Sequence, residues 1–251
     1  MSKIIAISNH KGGVGKTTSA INLGAAFTLQ GYRVLLIDLD PQANLSQSLG
    51  VNKKALAPTI YEALRGLAPL EPVEATKLLH VVPSSIDLAG AEVELAGELA
   101  REYILKNLLA EVEARYDFII IDSPPNLGLL TVNALTACHS VYIPLQAQYL
   151  ALQGVAKLLE IVAKIQRGLN KELQLGGVFL TQYDSRKVLN RDVLEAVKEY
   201  FKGGEVLEAK IRDNVALAEA PAQGLDIFSY NPKSYGAEDY KALALEILAK
   251  E

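Results

Sequence analysis

Short, unbroken runs of aliphatic residues recur along this chain, separated by longer stretches in which apolar residues fall three and four apart. The runs Val34-Leu35-Leu36-Ile37 and Phe118-Ile119-Ile120-Ile121 are apolar at every position. A strand with one face in water would alternate, so these runs read as strands covered on both faces, as in a parallel sheet. On this basis strands are predicted at Lys3–Ile7, Arg33–Asp38, Leu79–Val82, Phe118–Asp122, Val141–Leu145, Gly177–Thr181 and Glu205–Ile211. Helices are predicted at Thr17–Gln30, stopped by Gly31, and at Leu88–Leu99, Glu102–Arg115, Thr131–Cys138, Gly154–Gly168, Asn190–Phe201 and Ala237–Lys250. The alternation predicts an α/β fold, doubly wound, with a mostly parallel sheet and helices on both faces. One domain is expected over residues 1–251, with Asn52–Pro72 as a surface excursion.

Composition narrows the classes. Half of the 251 residues are hydrophobic, enough for a large core, and the formal charge of −4 excludes a wholly basic nucleic-acid coat but not a local basic patch. The single cysteine, Cys138, excludes an intramolecular disulfide framework and any multi-cysteine metal site within one chain. Only Ile4–Ile7 is apolar before the polar run Ser8-Asn9-His10-Lys11, so no signal peptide is read here. No stretch approaches the ~20 apolar residues of a membrane span. The expectation is a soluble cytoplasmic protein without a stable membrane anchor.

The chemistry is concentrated in Lys11-Gly12-Gly13-Val14-Gly15-Lys16-Thr17-Thr18, directly after an apolar strand and opening a helix. Glycines let successive backbone N–H groups converge on phosphate oxygens, and a helix N-terminus adds free donors and a favourable dipole. Lys16 is expected to reach the β- and γ-phosphates of a nucleotide, and Thr17 to ligate Mg²⁺. The first position of the usual G-x-x-x-x-G-K-[ST] pattern is His10, and a second lysine, Lys11, stands beside it. Two strands end in carboxylates, Asp38-Leu39-Asp40-Pro41 and Asp122-Ser123-Pro124-Pro125. Ligands of a doubly wound sheet sit beyond such strand ends. Asp122 is therefore expected to hold Mg²⁺, and Asp40 to orient or deprotonate the attacking water. Asp38 shares the side-chain parity of Asp40 and could also reach the metal shell. His10 is expected to pack in the turn. His80 and His139 show no metal-ligand spacing, and Tyr149, after Gln146 and Gln148, is expected to pack at a strand end.

With Asp87-Leu88-Ala89-Gly90-Ala91-Glu92-Val93-Glu94-Leu95 and Leu217-Ala218-Glu219-Ala220-Pro221, these segments resemble the ParA/Soj branch of the deviant Walker A ATPases, the P-loop NTPase superfamily that also contains MinD. The resemblance implies an ATP- and Mg²⁺-dependent homodimer in which Lys11 crosses to the partner's nucleotide. It also implies weak intrinsic hydrolysis stimulated by a ParB-like or other cargo-adaptor protein, with non-specific DNA binding on the nucleoid. Arg212, through its backbone, and Asn214 would lie near the adenine. Lacking paired cysteines, the chain does not match the nitrogenase iron protein. Its mixed-charge C-terminal segment does not match the membrane helix of MinD, and it looks like the short form without a helix-turn-helix domain.

The DNA surface departs from the family pattern. Ala216 and Leu225 stand where Soj-like chains commonly carry an arginine and a lysine, while Arg186 matches a second arginine position. Residues 171–212 carry eight basic and seven acidic side chains, so any patch must arise from clustering in space. Arg186, Lys187, Arg191, Lys198, Lys202, Lys210 and Lys233 are the candidates. The leading expectation is a partition ATPase for plasmid or chromosome. Alternatives are a positioning ATPase for a protein assembly, a metabolic P-loop enzyme, and a nucleotide-gated binding module.

Overall fold

In the computed structural model, residues 2–51, 58–148, 151–201 and 205–251 are described, with the backbone alone at 151–153. Tyr149, Lys202 and part of the Asn52–Pro72 excursion lie outside the described residues. The elements in chain order are β1 (Lys3–Ile7), α1 (Lys16–Leu29), β2 (Val34–Asp38), α2 (Asn44–Ser48), α3 (Ile60–Leu64), β3 (Val73–Thr76), β4 (Leu79–Val82), α4 (Leu88–Glu94) and α5 (Ile104–Ala110). They continue with β5 (Phe118–Asp122), α6 (Leu129–Ala137), β6 (Ser140–Gln146), α7 (Ala151–Gly168), β7 (Gln174–Thr181), α8 (Val188–Phe201), α9 (Val215–Glu219), α10 (Ile227–Tyr230) and α11 (Tyr235–Leu248).

Seven strands form one sheet in the order β3-β4-β2-β5-β1-β6-β7, parallel throughout except for the β3–β4 pair at one edge. Because side chains alternate across a strand, each central strand supplies two cores. Ile4 and Ala6 of β1, Leu35 and Ile37 of β2, and Ile119 and Ile121 of β5 face α3 to α8. Ile5, Ile7, Val34, Leu36, Phe118 and Ile120 face α1 and α11. The same parity sends Asp38 and Asp122, at the strand ends, to the α1 side. Register then brings them together, since Asp38 pairs with Asp122 across β2–β5 and Ile7 pairs with Asp122 across β1–β5. Gly31, at φ +91, ends α1 by donating to the Thr28 carbonyl at 2.9 Å.

Three expectations are corrected. The Leu88–Leu99 helix stops at Glu94. The Glu102–Arg115 helix breaks into a 3₁₀ turn, α5 and a second 3₁₀ turn. At that break the buried Asn133 of α6 accepts from Leu105 N–H at 3.0 Å and donates to the Arg101 carbonyl at 2.9 Å, so a tertiary side chain takes backbone groups a continuous helix would use. The third concerns Glu205–Ile211, which runs beside β7 without becoming a regular strand. Bridges join Val178 to Val206 and Tyr183 to Arg212, so the segment gains one residue on β7 between them and the ladder cannot stay in step. The antiparallel β3 and the short helices α2, α3, α9 and α10 were not predicted; each is only four or five residues long, too short for a periodic signal. Among the described residues no helix is long and apolar enough to cross a membrane.

Candidate active site

After Ile7 the chain turns through residues 8–15 into α1. Gly13 and Gly15 lie at φ +73 and +87, a conformation that side chains rarely adopt, and Gly15 occupies the N-cap position of the helix. The start of the loop is pinned to β6, because Asn9 donates to the Pro144 carbonyl at 2.8 Å and accepts from Lys11 N–H at 3.1 Å. Lys16 folds back so that Nζ donates to the Lys11 carbonyl at 3.2 Å. Burial lowers its pKa, and the negative charges of Asp122 and Asp40 act against that shift.

Asp122 carries the clearest signature of a cation-binding carboxylate. Its Oδ2 accepts from the Thr17 hydroxyl at 2.6 Å, while Oδ1 is buried and has no hydrogen-bond partner. Burial, and then the neighbouring Asp38, push its pKa well above the usual carboxylate range. A buried carboxylate oxygen left unpaired is costly, and a cation beside it removes the cost. Among the described residues no group of three or more His, Cys, Asp or Glu could hold a metal alone. A Thr hydroxyl and one carboxylate fit Mg²⁺, which keeps water and phosphate oxygens as its other ligands.

Asp38 lies beside Asp122 as parity requires, and its oxygens have further partners. Ser46 N–H and Oγ donate to its Oδ2 at 2.9 and 2.5 Å, and Asp40 N–H donates to Oδ1 at 3.3 Å. Both oxygens are thus engaged in fixing the turn from β2 into α2. Burial raises its pKa to about 6. Asp40 is itself buried, with Oδ1 accepting from Gln42 N–H at 2.9 Å, so the turn that Asp38 holds also fixes the carboxylate of Asp40. Lys11 extends across to Gln148, donating to its Oε1 at 2.8 Å. His10 packs its ring against Gly154, and burial, followed by Lys157, Lys16 and Lys11, lowers its pKa.

Beside the loop lies a cleft of about 180 Å³ lined by Gly15, Thr18, Thr181, Gln182, Ile211, Arg212, Asp213, Asn214, Leu217, Ala218 and Tyr240. It brings Arg212 and Asn214 to the phosphate loop. Arg212 turns its guanidinium away, onto Asp239, Glu238 and the face of Tyr235 at 4.1 Å. The Asn214 side chain caps α9, accepting from Ala216 N–H at 3.0 Å. Thr181, Gln182 and Ser46 were not singled out by sequence reasoning; Thr181 ends β7, Gln182 follows it and Ser46 lies within α2, where no local pattern marks them.

The basic candidates differ in their surroundings. Arg186 and Lys210 line a larger cleft of about 600 Å³, whereas Lys233 lines another, between α1 and α11. Lys187 and Arg191 are exposed and Lys198 is half-buried. Arg186 is clamped by Asp184 through two contacts of 2.9 Å, and Lys210 donates to the Glu208 carbonyl at 2.8 Å. Ala216 is buried, and Leu225 is exposed.

A family model described as an AAA domain matches residues 2–175. The chromosome-partitioning ATPase Soj of Treponema pallidum is 49% identical over 100% of this chain and 99% of that protein. This chain belongs to the ParA/Soj family of ATPases. The sporulation initiation inhibitor protein Soj of Bacillus subtilis is 48% identical, covering 99% of each chain. A crystal structure titled cobyrinic acid a,c-diamide synthase from Mycobacterium smegmatis, with bound ATP analogue and magnesium, superposes with a TM-score of 0.87 at 39% identity, covering 99% of this chain and 95% of that one. ParA/Soj membership agrees with the doubly wound sheet.

Proposed function

We propose that this chain is a chromosome-partitioning ATPase that binds ATP and Mg²⁺, dimerises around the nucleotides, and holds non-specific DNA while dimeric. The observation that carries the reading is the Thr17–Asp122 pair beside Lys16, with one buried carboxylate oxygen unpartnered. Lys16 supplies a positive charge to the β- and γ-phosphates, and the loop's N–H groups bind the phosphate oxygens. Thr17 and Asp122 hold Mg²⁺, which neutralises charge on the phosphates when bound. Asp40 orients the attacking water and takes its proton. The backbone from Arg212 to Asn214 receives the adenine.

The assignment to partitioning rather than diamide synthesis is supported by the names of the relatives at 48–49% identity. A ParB-like adaptor is the proposed stimulator of hydrolysis, and the nucleoid the proposed location. Lys11 is proposed to leave Gln148 and meet the partner subunit's nucleotide, because two triphosphates at one interface need added positive charge. Sedimentation with ATP tests this. Wild-type protein should become a dimer, and Lys11→Ala should bind one ATP per chain yet remain a monomer. A stable ATP dimer of the variant, with wild-type affinity, would remove Lys11 from the interface.

A further inference from the structure

The phosphate loop is held from outside by the end of β7. Thr181 Oγ1 donates to the Val14 carbonyl at 2.9 Å, and Gln182 Nε2 donates to the Gly13 carbonyl at 3.1 Å. Thr181 is buried, and its methyl carbon lies 3.6 Å from where a Cβ on Gly15 would stand. Gln182 also accepts from Gln146 Nε2, which fixes its amide between β6 and the loop. Its backbone sits at φ +50, a left-handed conformation that a residue with a side chain keeps only when its surroundings demand it.

A peptide unit is planar, so its C=O and the next residue's N–H point in opposite directions. Drawing the Gly13 and Val14 carbonyls toward β7 therefore turns the N–H groups of Val14 and Gly15 the other way, as a phosphate-binding nest requires.

We infer that Thr181 and Gln182 are positioning residues that set the peptide planes of the phosphate loop and so raise its affinity for the nucleotide's phosphates. The inference rests on the nucleotide-binding reading above. Both residues also line the cleft with Arg212 and Asn214, so the base side and the phosphate side of the site share one wall. Neither residue has to touch the phosphates; each acts on them through a carbonyl of the loop.

The test is calorimetry of ATP and ADP with Mg²⁺ on wild type, Thr181→Val, Thr181→Ser and Gln182→Gly, with melting temperatures of the nucleotide-free proteins. Thr181→Val keeps the shape and deletes the donor, so both nucleotides should bind about five- to tenfold more weakly. Thr181→Ser keeps the hydroxyl and should return to within about twofold of wild type. Gln182→Gly relieves the left-handed strain while deleting the amide. It should weaken binding about threefold without lowering the melting temperature, a separation that a purely structural role would not produce. If Thr181→Val fails to fold, the Gln182→Gly arm decides. Unchanged affinity in the folded variants, or equal losses in Thr181→Val and Thr181→Ser, overturns the inference. Wild-type protein that binds no ATP overturns the nucleotide reading and this inference together.

Discussion

The phosphate-loop site and the basic surface around α8 are built on opposite principles. In the first, Lys16, Asp38, Asp40 and Asp122 are all buried and held by strand register and backbone donors. In the second, Arg186 is 88% exposed and its main partner is a carboxylate two residues away. Burial makes each charge in the loop site expensive unless it has a task, so the residue types there constrain function tightly. Exposed charges are cheap to keep or lose, and their positions say little until they are seen in space. One chain thus carries a site where substitution should act nearly all-or-none and a surface where effects should be graded.

The largest expected effect is at Lys16. Lys16→Ala removes the one cation folded into the loop, leaving the triphosphate without charge-assisted donors from the side chain. ATP affinity measured by calorimetry should fall on the order of 100-fold or more. Near-normal affinity would mean that the buried charges here serve the fold alone, and the contrast between the two regions would collapse.

Asp40 sharpens the same contrast by separating binding from chemistry. Asp40→Ala should leave ATP affinity within about threefold of wild type while turnover falls by about 10²–10⁴-fold, the usual weight of a positioned acid–base group. Single-turnover kinetics with labelled ATP reads both quantities. Turnover at the wild-type rate would make Asp40 a turn residue like Asp38.

How far the sequence was legible follows the same division. The five central parallel strands were predicted in place because their patterns are set by burial on both faces. That Lys16, Thr17 and Asp122 lie side by side was legible, since the motif is local and the strand-end rule brings its parts together. For Asp38, parity specified the direction of the side chain and not its partners; the hydroxyl of Ser46, eight residues on, left no signal beside it. Thr181 and Gln182 left no local pattern, for their meaning lies in carbonyl groups about 170 residues earlier in the chain. Lys233 was grouped with Arg186 by charge, and the two line different clefts.

The exposed surface should respond by degrees. Reversing Arg186 and Lys187 together to glutamate should weaken ATP-dependent DNA binding equally for unrelated duplexes. It should also lower the slope of log affinity against log salt by about two per protomer. Filter binding over a salt series measures both. A loss confined to one duplex sequence would point to base recognition instead.

The smallest effect concerns Asp184, and it asks whether Arg186 is free to meet a phosphate at all. Asp184 accepts the Arg186 backbone N–H at 3.0 Å and both guanidinium contacts at 2.9 Å, and these bonds hold its carboxyl down to about 2. A carboxylate with a lowered pKa stabilises the folded state above its unfolded value near 4, and that contribution is lost only as pH falls through about 2. From pH 5 to 8 it therefore stays ionised, and Arg186 stays paired. Lowering pH within that range cannot release the guanidinium, but Asp184→Asn can: the amide oxygen keeps the turn and the charge is gone. The variant should bind DNA more tightly than wild type, by no more than about fivefold because the Arg186 side of the pair stands in solvent. The ratio of the two affinities should stay constant from pH 5 to 8. A ratio that moves across that range would assign the titration to another group. Weaker binding by the variant would instead mean that Asp184 holds Arg186 in the orientation that DNA needs.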